Sequence, residues 1–408
     1  LSQGRERHRA RNILVTAQVA LAFVLLICSG LMIRTFRALS QVNPGFVRPA
    51  QVQTFRLDIP DSQASSPELV LRMEQQISEK LAAIPGVSSV GFANGLPMDG
   101  NGWHDPVFAQ DRMYAQGELP AIRTFEFMSP EYLQTMGIPL VAGRNLTWTD
   151  TYNKIPVALI SENFAREYWH DPANALGKRI RVSTKDDWRE IIGVVGDVRN
   201  DGISQPAPTS VYWPILTANF ESDLLQVRRS VAFAMRTPRA GSQTFMNEVR
   251  QAVWSVNANL PLATPHTLDY FYQRSMARTS FTLVMLGIAG AMALLLGSVG
   301  LYGVIAYSVS QRTREIGIRM ALGATLENVR KMVVMQGMRL ASIGVVAGIA
   351  VALALTRLMA GLLYGVKTWD PLVFVSVAVL LSTVSWFAAY MPARRASRVD
   401  PMVSLRYE

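Results

Sequence analysis

Along most of this chain apolar and polar positions alternate with a helical or a strand-like period. In four stretches they do not, because nearly every position is apolar. Such runs predict membrane-spanning helices. They cover residues 13–33, 279–309, 336–357 and 371–391. The first, "ILVTAQVALAFVLLICSGLMI", holds Gln18 as its only strongly polar side chain. It is too long for the core of a signal peptide. The second has no charge from Phe281 to Val309. At about 1.5 Å per residue it exceeds the roughly 30 Å hydrocarbon core, so the helix must project beyond the membrane. The third carries Arg339 and Arg357 at its ends, where both can snorkel to an interface.

Residues 34–278 read differently. "PELVLRMEQQISEKLAAI" sets Val70, Met73, Ile77, Leu81 and Ile84 on one helical face, with Pro67 in the first turn. "SQTFMNEVRQAVWSV" predicts a second helix. "VQTFRLDI", "VSSVGFA", "PVALIS", "KRIRVS", "EIIGVVGDV" and "SVAFAMRT" are rich in Val, Ile and Phe and predict strands. The fold class is therefore a membrane α-helical protein of four transmembrane helices, with a large α+β extracytoplasmic domain between helices one and two.

Charge sets the orientation. Half of the 408 residues are hydrophobic and 17% are charged, against about a quarter in soluble proteins. The net charge of +10 comes from Lys and Arg placed beside the apolar runs. That is the positive-inside pattern rather than a nucleic-acid footprint, and no nucleic acid is expected as a partner. The N-terminal segment 1–12, the loop 310–335 and the tail 392–408 are expected in the cytoplasm, and the short loop 358–370, with Tyr364 and Trp369, outside. The one cysteine, Cys28, precludes an internal disulfide. The chain opens on Leu1 rather than Met, which reads as a fragment or one half of a longer protein.

Catalytic chemistry finds little support. His8, His104, His170 and His266 lie singly, no Cys pairs exist, and no G-x-S-x-G occurs, so no catalytic residue and no metal are expected. "NGLPMDGNGWHDP", Asn94 to Pro106, reads as a turn-rich surface loop. Gly177-Lys178 is followed by Arg179 where a phosphate loop needs Ser or Thr, and Pro172 stands where its first glycine belongs. The chain is thus expected to bind no nucleotide or other cofactor itself. Gly344 and Gly348 make a G-x-x-x-G in the third run, Gly361 and Gly365 make another at its end, and Gly297 and Gly300 thin the second run; such spacings let helices approach closely.

The stretch "SQRTREIGIRMALGAT", Ser310 to Thr325, places charge directly after an apolar run. On a helix Arg312, Glu315 and Arg319 share a face, Arg314 flanks them, and Glu315 to Arg319 is the favourable i,i+4 order. A turn is expected at "ALGAT", after which Thr325 caps a new helix with Glu327 in its first turn and Arg330 in the next. A membrane anchor explains the arginines but not the turn and the restart, so this helix–turn–helix reads as a docking surface for a soluble partner.

"QRTREIGIRMALGAT" and "YMPARRASRVDPMVSLR" resemble the two cytoplasmic signatures of the MacB/FtsX-like ABC permease family. "VNPGF", "LPMDG", "TMGIPLVAGR", "LGKRI", "IIGVVGDVR" and "QRSMARTSF" are similar to the duplicated permeases of this family found in acidobacteria. The resemblance covers nearly the whole chain. It implies an inner-membrane permease with four spans whose periplasmic domain is moved by ATP hydrolysis in an ABC ATPase (mechanotransmission), for export of amphiphiles, peptides or lipoproteins. It implies as partners that ATPase at the 310–335 region, a second copy or second permease half, the lipid membrane and a periplasmic adaptor. MacB itself carries its ATPase in the same chain, whereas here the ATP would be used by a partner. The competing reading is a membrane receptor or scaffold whose outside domain binds a ligand or the cell envelope.

Overall fold

The structure is a computed structural model that describes residues 2–115, 117–321 and 325–396. The chain divides into two compact units, one of residues 42–276 and one of the segments before and after it.

The strands of the 42–276 unit are β1 (Val52–Asp58), β2 (Ser89–Ala93), β3 (Trp103–Pro106), β4 (Phe108–Ala109), β5 (Ile122–Met128), β6 (Leu140–Gly143), β7 (Val157–Ser161), β8 (Arg179–Arg181), β9 (Arg189–Val195), β10 (Ser210–Pro214), β11 (Leu216–Phe220), β12 (Asp223–Val227), β13 (Ser230–Arg236) and β14 (Ala263–Thr267). Among the described residues twelve of them form one sheet, in the order β14-β1-β13-β2-β5-β10-β7-β9-β8-β4, with β3 beside β5 and β6 beside β9; β11 and β12 form a separate hairpin. The β5–β10 and β7–β9 pairs are parallel. The sheet is nearly divided at its middle, since β2 and β5 share the single pair Ala93–Met128.

Alternation along the strands sends side chains into two cores. On β13, Val231, Phe233 and Met235 enter one, Ala232 and Ala234 the other. The first core also takes the buried faces of α2 (Pro67–Ala82) and, later in the chain, α6 (Gln243–Val256). Rings of Phe125, Phe127, Trp213 and Phe220 meet edge to face within it, with centroids 5.1–6.5 Å apart. The short helices α3 (Tyr132–Met136), α4 (Trp148–Tyr152) and α5 (Glu162–Trp169) complete the unit. Ser66 caps α2, its hydroxyl accepting from the Leu69 N–H at 3.4 Å, and Ser242 caps α6 in the same way through Phe245. At Gly91 a β-carbon would come 2.5 Å from the Tyr132 Cα, so β2 carries glycine where α3 crosses it. The Asn94–Pro106 segment is more than surface turns. Its last four residues are β3, and Asp99 accepts from the Leu96 and Asn101 N–H groups at 3.0 and 2.8 Å.

The other unit holds α1 (Ser2–Ser40), most of α7 (Leu268–Gln311), α8 (Thr313–Ala321), α9 (Leu326–Leu358) and α10 (Pro371–Ala396). Within these helices Arg9–Ser40, Thr279–Gln311, Leu326–Leu358 and Pro371–Arg395 are long and apolar enough to cross a membrane. This is the expected fold class: four membrane helices flanking an α+β domain. Of the four, α1 is the most buried, so it is the helix the others enclose. Phe23, Ile27 and Leu31 of α1 pack with Ala352, Val373, Val377 and Leu381.

One glycine pair differs from expectation. Gly361 sits in a short 3-10 turn, Ala360–Leu362, with no atom near its missing side chain, and Gly365 has φ +66° in the turn leading to α10. That pair shapes a loop and is not part of a helix–helix contact.

Candidate coupling site

The apolar α7 ends at Gln311, and the backbone turns at once into α8, with the Arg312 N–H bonded to the Val309 carbonyl at 3.0 Å and Ile316 to that of Arg312 at 2.9 Å. The amphipathic order of α8 explains its setting. Ile316 is buried, while Arg312, Glu315, Ile318 and Arg319 are exposed. Arg319 donates to the Glu315 carboxylate at 2.5 Å and reaches the Met332 sulfur on α9 at 3.0 Å, which ties the two helices together. Glu315 and Arg319 are each about half exposed (48%), so the pair contributes little to stability. Arg314 lies on α8 with its side chain outside the described residues, as do positions 322–324 of the expected turn.

Thr325 has extended backbone and caps α9, its hydroxyl accepting from the Asn328 N–H at 3.3 Å. Glu327 follows in the exposed first turn, where a carboxylate complements the helix dipole. Val329 and Val333 turn inward. Arg330 lies over the Tyr390 ring at 5.6 Å.

That last contact belongs to a set that sequence reasoning missed. The Arg11 guanidinium covers Tyr307 at 4.2 Å, and Arg395 donates to the Tyr302 hydroxyl at 2.9 Å. Gln336 donates to Ser308 at 3.2 Å. Arginines from α1, α9 and α10 therefore each engage a tyrosine at the charged end of this bundle. The signal was present as Tyr residues inside the last turns of apolar runs flanked by arginine.

The glycines meet one helix in particular. A β-carbon at Gly344 would come 2.8 Å from the Val19 Cβ, and one at Gly348 would come 2.8 Å from the Phe23 Cβ, both on α1. At Gly300 it would collide with the Gln18 amide oxygen, whereas Gly297 has ordinary room, with the Gln18 carbonyl 4.0 Å away. Among the described residues no group of three His, Cys, Asp or Glu side chains is placed to hold a metal ion.

Two family descriptions match this arrangement, a MacB-like periplasmic core domain over residues 15–252 and an FtsX-like permease C-terminal region over residues 287–401. The chain belongs to the MacB/FtsX-like permease family. It is 31% identical over 289 residues to a macrolide export ATP-binding/permease protein MacB from Bradyrhizobium diazoefficiens, covering 68% of this chain and 42% of that protein. It is 27% identical over 277 residues to a pyoverdine export ATP-binding/permease protein, PvdT, from Pseudomonas syringae, covering 66% of this chain and 40% of that protein. The chain thus spans less than half the length of these curated relatives. Among solved structures it is similar to the periplasmic region of MacB from Actinobacillus actinomycetemcomitans, with 14% identity and a TM-score of 0.36, covering 56% of this chain and 94% of that one.

Proposed function

We propose that this MacB-like chain is the permease part of an exporter driven by an ABC ATPase that docks on α8 and the first turns of α9. Arg312, Arg314, Glu315, Arg319, Thr325, Glu327 and Arg330 form the coupling surface in this reading, and ATP is used only through the partner. The observation that carries it is the placement of α8: a short charged helix, exposed at Glu315 and Arg319, that follows one long apolar helix in the chain and precedes another. A membrane anchor needs charge near the lipid surface. It does not need a turn and a second helix that restarts beyond it with its own threonine cap.

Continuity supplies the second half of the reading. α7 runs unbroken for 44 residues, about 66 Å at helical rise, from Leu268 to Gln311. An unbroken helix transmits a push or rotation along its axis, so movement of α8 would be passed along α7 beyond the bilayer. Positive-inside charge puts the N-terminus, the 310–335 region and the C-terminus in the cytoplasm and residues 34–278 in the periplasm, in the inner membrane. The cargo class is an amphiphile, peptide or lipoprotein, and a second permease copy or half, with a periplasmic adaptor, completes the assembly.

Isolation of the tagged chain from native membranes in mild detergent tests this. An ABC-type ATPase should be recovered with it in near-stoichiometric amount. Recovery of the chain in good yield with no nucleotide-hydrolysing partner would refute the exporter reading and support the receptor or scaffold.

A further inference from the structure

Beside β5, a pocket of about 440 Å³ opens between the 96–104 segment, residues 200–202 and the start of α7. Asp99, Asn101, His104, Glu126, Asn200 and Arg274 are among its lining residues. Glu126 is the anomaly. It is only 4% exposed, and its Oε2 has no hydrogen-bond partner. Its Oε1 receives only the Asn200 side-chain amide, at a long 3.4 Å. Nearby Asp99 shows what a structural carboxylate looks like here, since Arg56 donates to it at 2.8 Å and two backbone N–H groups bind it as well.

The shortage of partners extends to the neighbours. Tyr212 stands in register with Glu126 on the adjacent strand β10, is fully enclosed, and its hydroxyl is unpartnered. The Tyr132 hydroxyl reaches only the Gly95 carbonyl, at 3.5 Å. Buried polar groups are normally satisfied, and leaving them unmet is destabilising. Burial, and then the negative charge of Asp99, push Glu126 up to about 8. Glu126 thus lines the pocket as a buried acid with few partners and a raised pKa.

We propose that this pocket binds a small ligand through a protonated primary amine, paired with the Glu126 carboxylate. A metal ion is a poor fit, because no group of three His, Cys, Asp or Glu side chains among the described residues is arranged to ligate one. A polycation is a poor fit too, because Arg274 stands in the lining beside the acids. A monoamine or a zwitterion suits both ends: ammonium on Glu126, and a neutral or anionic remainder toward Arg274. The site is independent of the export reading and stands or falls without it.

Calorimetric titration of the full-length chain in lipid nanodiscs with propylamine, and with propan-1-ol as its neutral counterpart, decides the matter. Propylamine should bind saturably and propan-1-ol should not. Binding at about pH 7 should release about one proton, read from titrations in two buffers of different ionisation heat, and affinity should strengthen as pH rises toward about 8. Glu126→Gln should weaken propylamine by about tenfold or more, the worth of a charge-assisted hydrogen bond. If that variant does not fold, the proton release and the amine-over-alcohol preference of the wild type still decide. Absence of saturable propylamine binding, equal binding of the alcohol, binding without proton release, or unchanged affinity in Glu126→Gln would each overturn the proposal and leave a pocket filled by water.

Discussion

Glu74 sits on the inner face of α2, wholly buried, with neither carboxylate oxygen hydrogen-bonded. Burial raises its pKa well above the ordinary value, against a weaker opposing pull from Arg229. A group raised in the folded state stabilises below its unfolded value, about 4.3, and that stability is lost as pH climbs through the folded value. The thermal midpoint of the wild type should therefore fall between about pH 5 and pH 8. Glu74→Met, of similar volume and without a charge to bury, should flatten that fall and raise the midpoint at about pH 8 by about 2–4 °C for each kcal/mol regained. Parallel pH profiles for the two proteins, followed by tryptophan fluorescence, would contradict it. The helical pattern placed Val70, Ile77 and Leu81 in the core correctly, but no pattern places a glutamate there. The same blindness hid β5. On β5, Arg123 and Glu126 interrupt the apolar alternation, yet both are buried. Arg123 is held by Glu167 at 2.8 and 2.9 Å and by Thr209 at 2.7 Å, partners far along the chain that no local reading can supply.

Elements were legible where one period or one composition ran for many residues. The apolar runs marked the membrane helices because solvent demands continuous apolarity there. α2 and α6 showed a 3.6-residue period with a serine cap at each start. The strand order was not legible, since parallel pairings such as β5–β10 depend on contacts across the whole unit. Helix packing was half legible. The Gly344/Gly348 spacing pointed to a close approach, and only the structure names α1 as the neighbour, whereas the identical spacing at Gly361 and Gly365 forms a loop. Gly344→Leu should force α9 from α1 and destabilise the fold by at least the about 1–3 kcal/mol typical of overpacking. Gly287→Ala, where nothing lies within 4 Å, should be neutral or slightly stabilising. Loss of monodisperse protein on heating in detergent reads both, and equal sensitivity of the two variants would contradict the assigned contact.

At the scale of the whole molecule, the account rests on α8 being a docking surface rather than an anchor. The charges were legible in sequence because they follow an uncharged run so abruptly. Tyrosines and arginines near the ends of the apolar runs were visible, but which Arg meets which Tyr was not, because the contacts of Arg11, Arg330 and Arg395 join α1, α9 and α10 to tyrosines on other helices. Glu315→Lys separates the two readings. It removes a helix pair worth only about 0.3–0.5 kcal/mol, too little to unfold the protein. It also adds a cation to a segment that charge already holds inside, so insertion is unharmed. At a protein interface, by contrast, truncating or opposing one partner of a charge pair costs about 2–5 kcal/mol. The deciding measurement is recovery of the ABC ATPase with wild type and with Glu315→Lys at equal membrane levels. The docking account predicts at least about a tenfold loss of the partner from the variant. Equal recovery would show that this charged face only anchors the helix at the membrane surface.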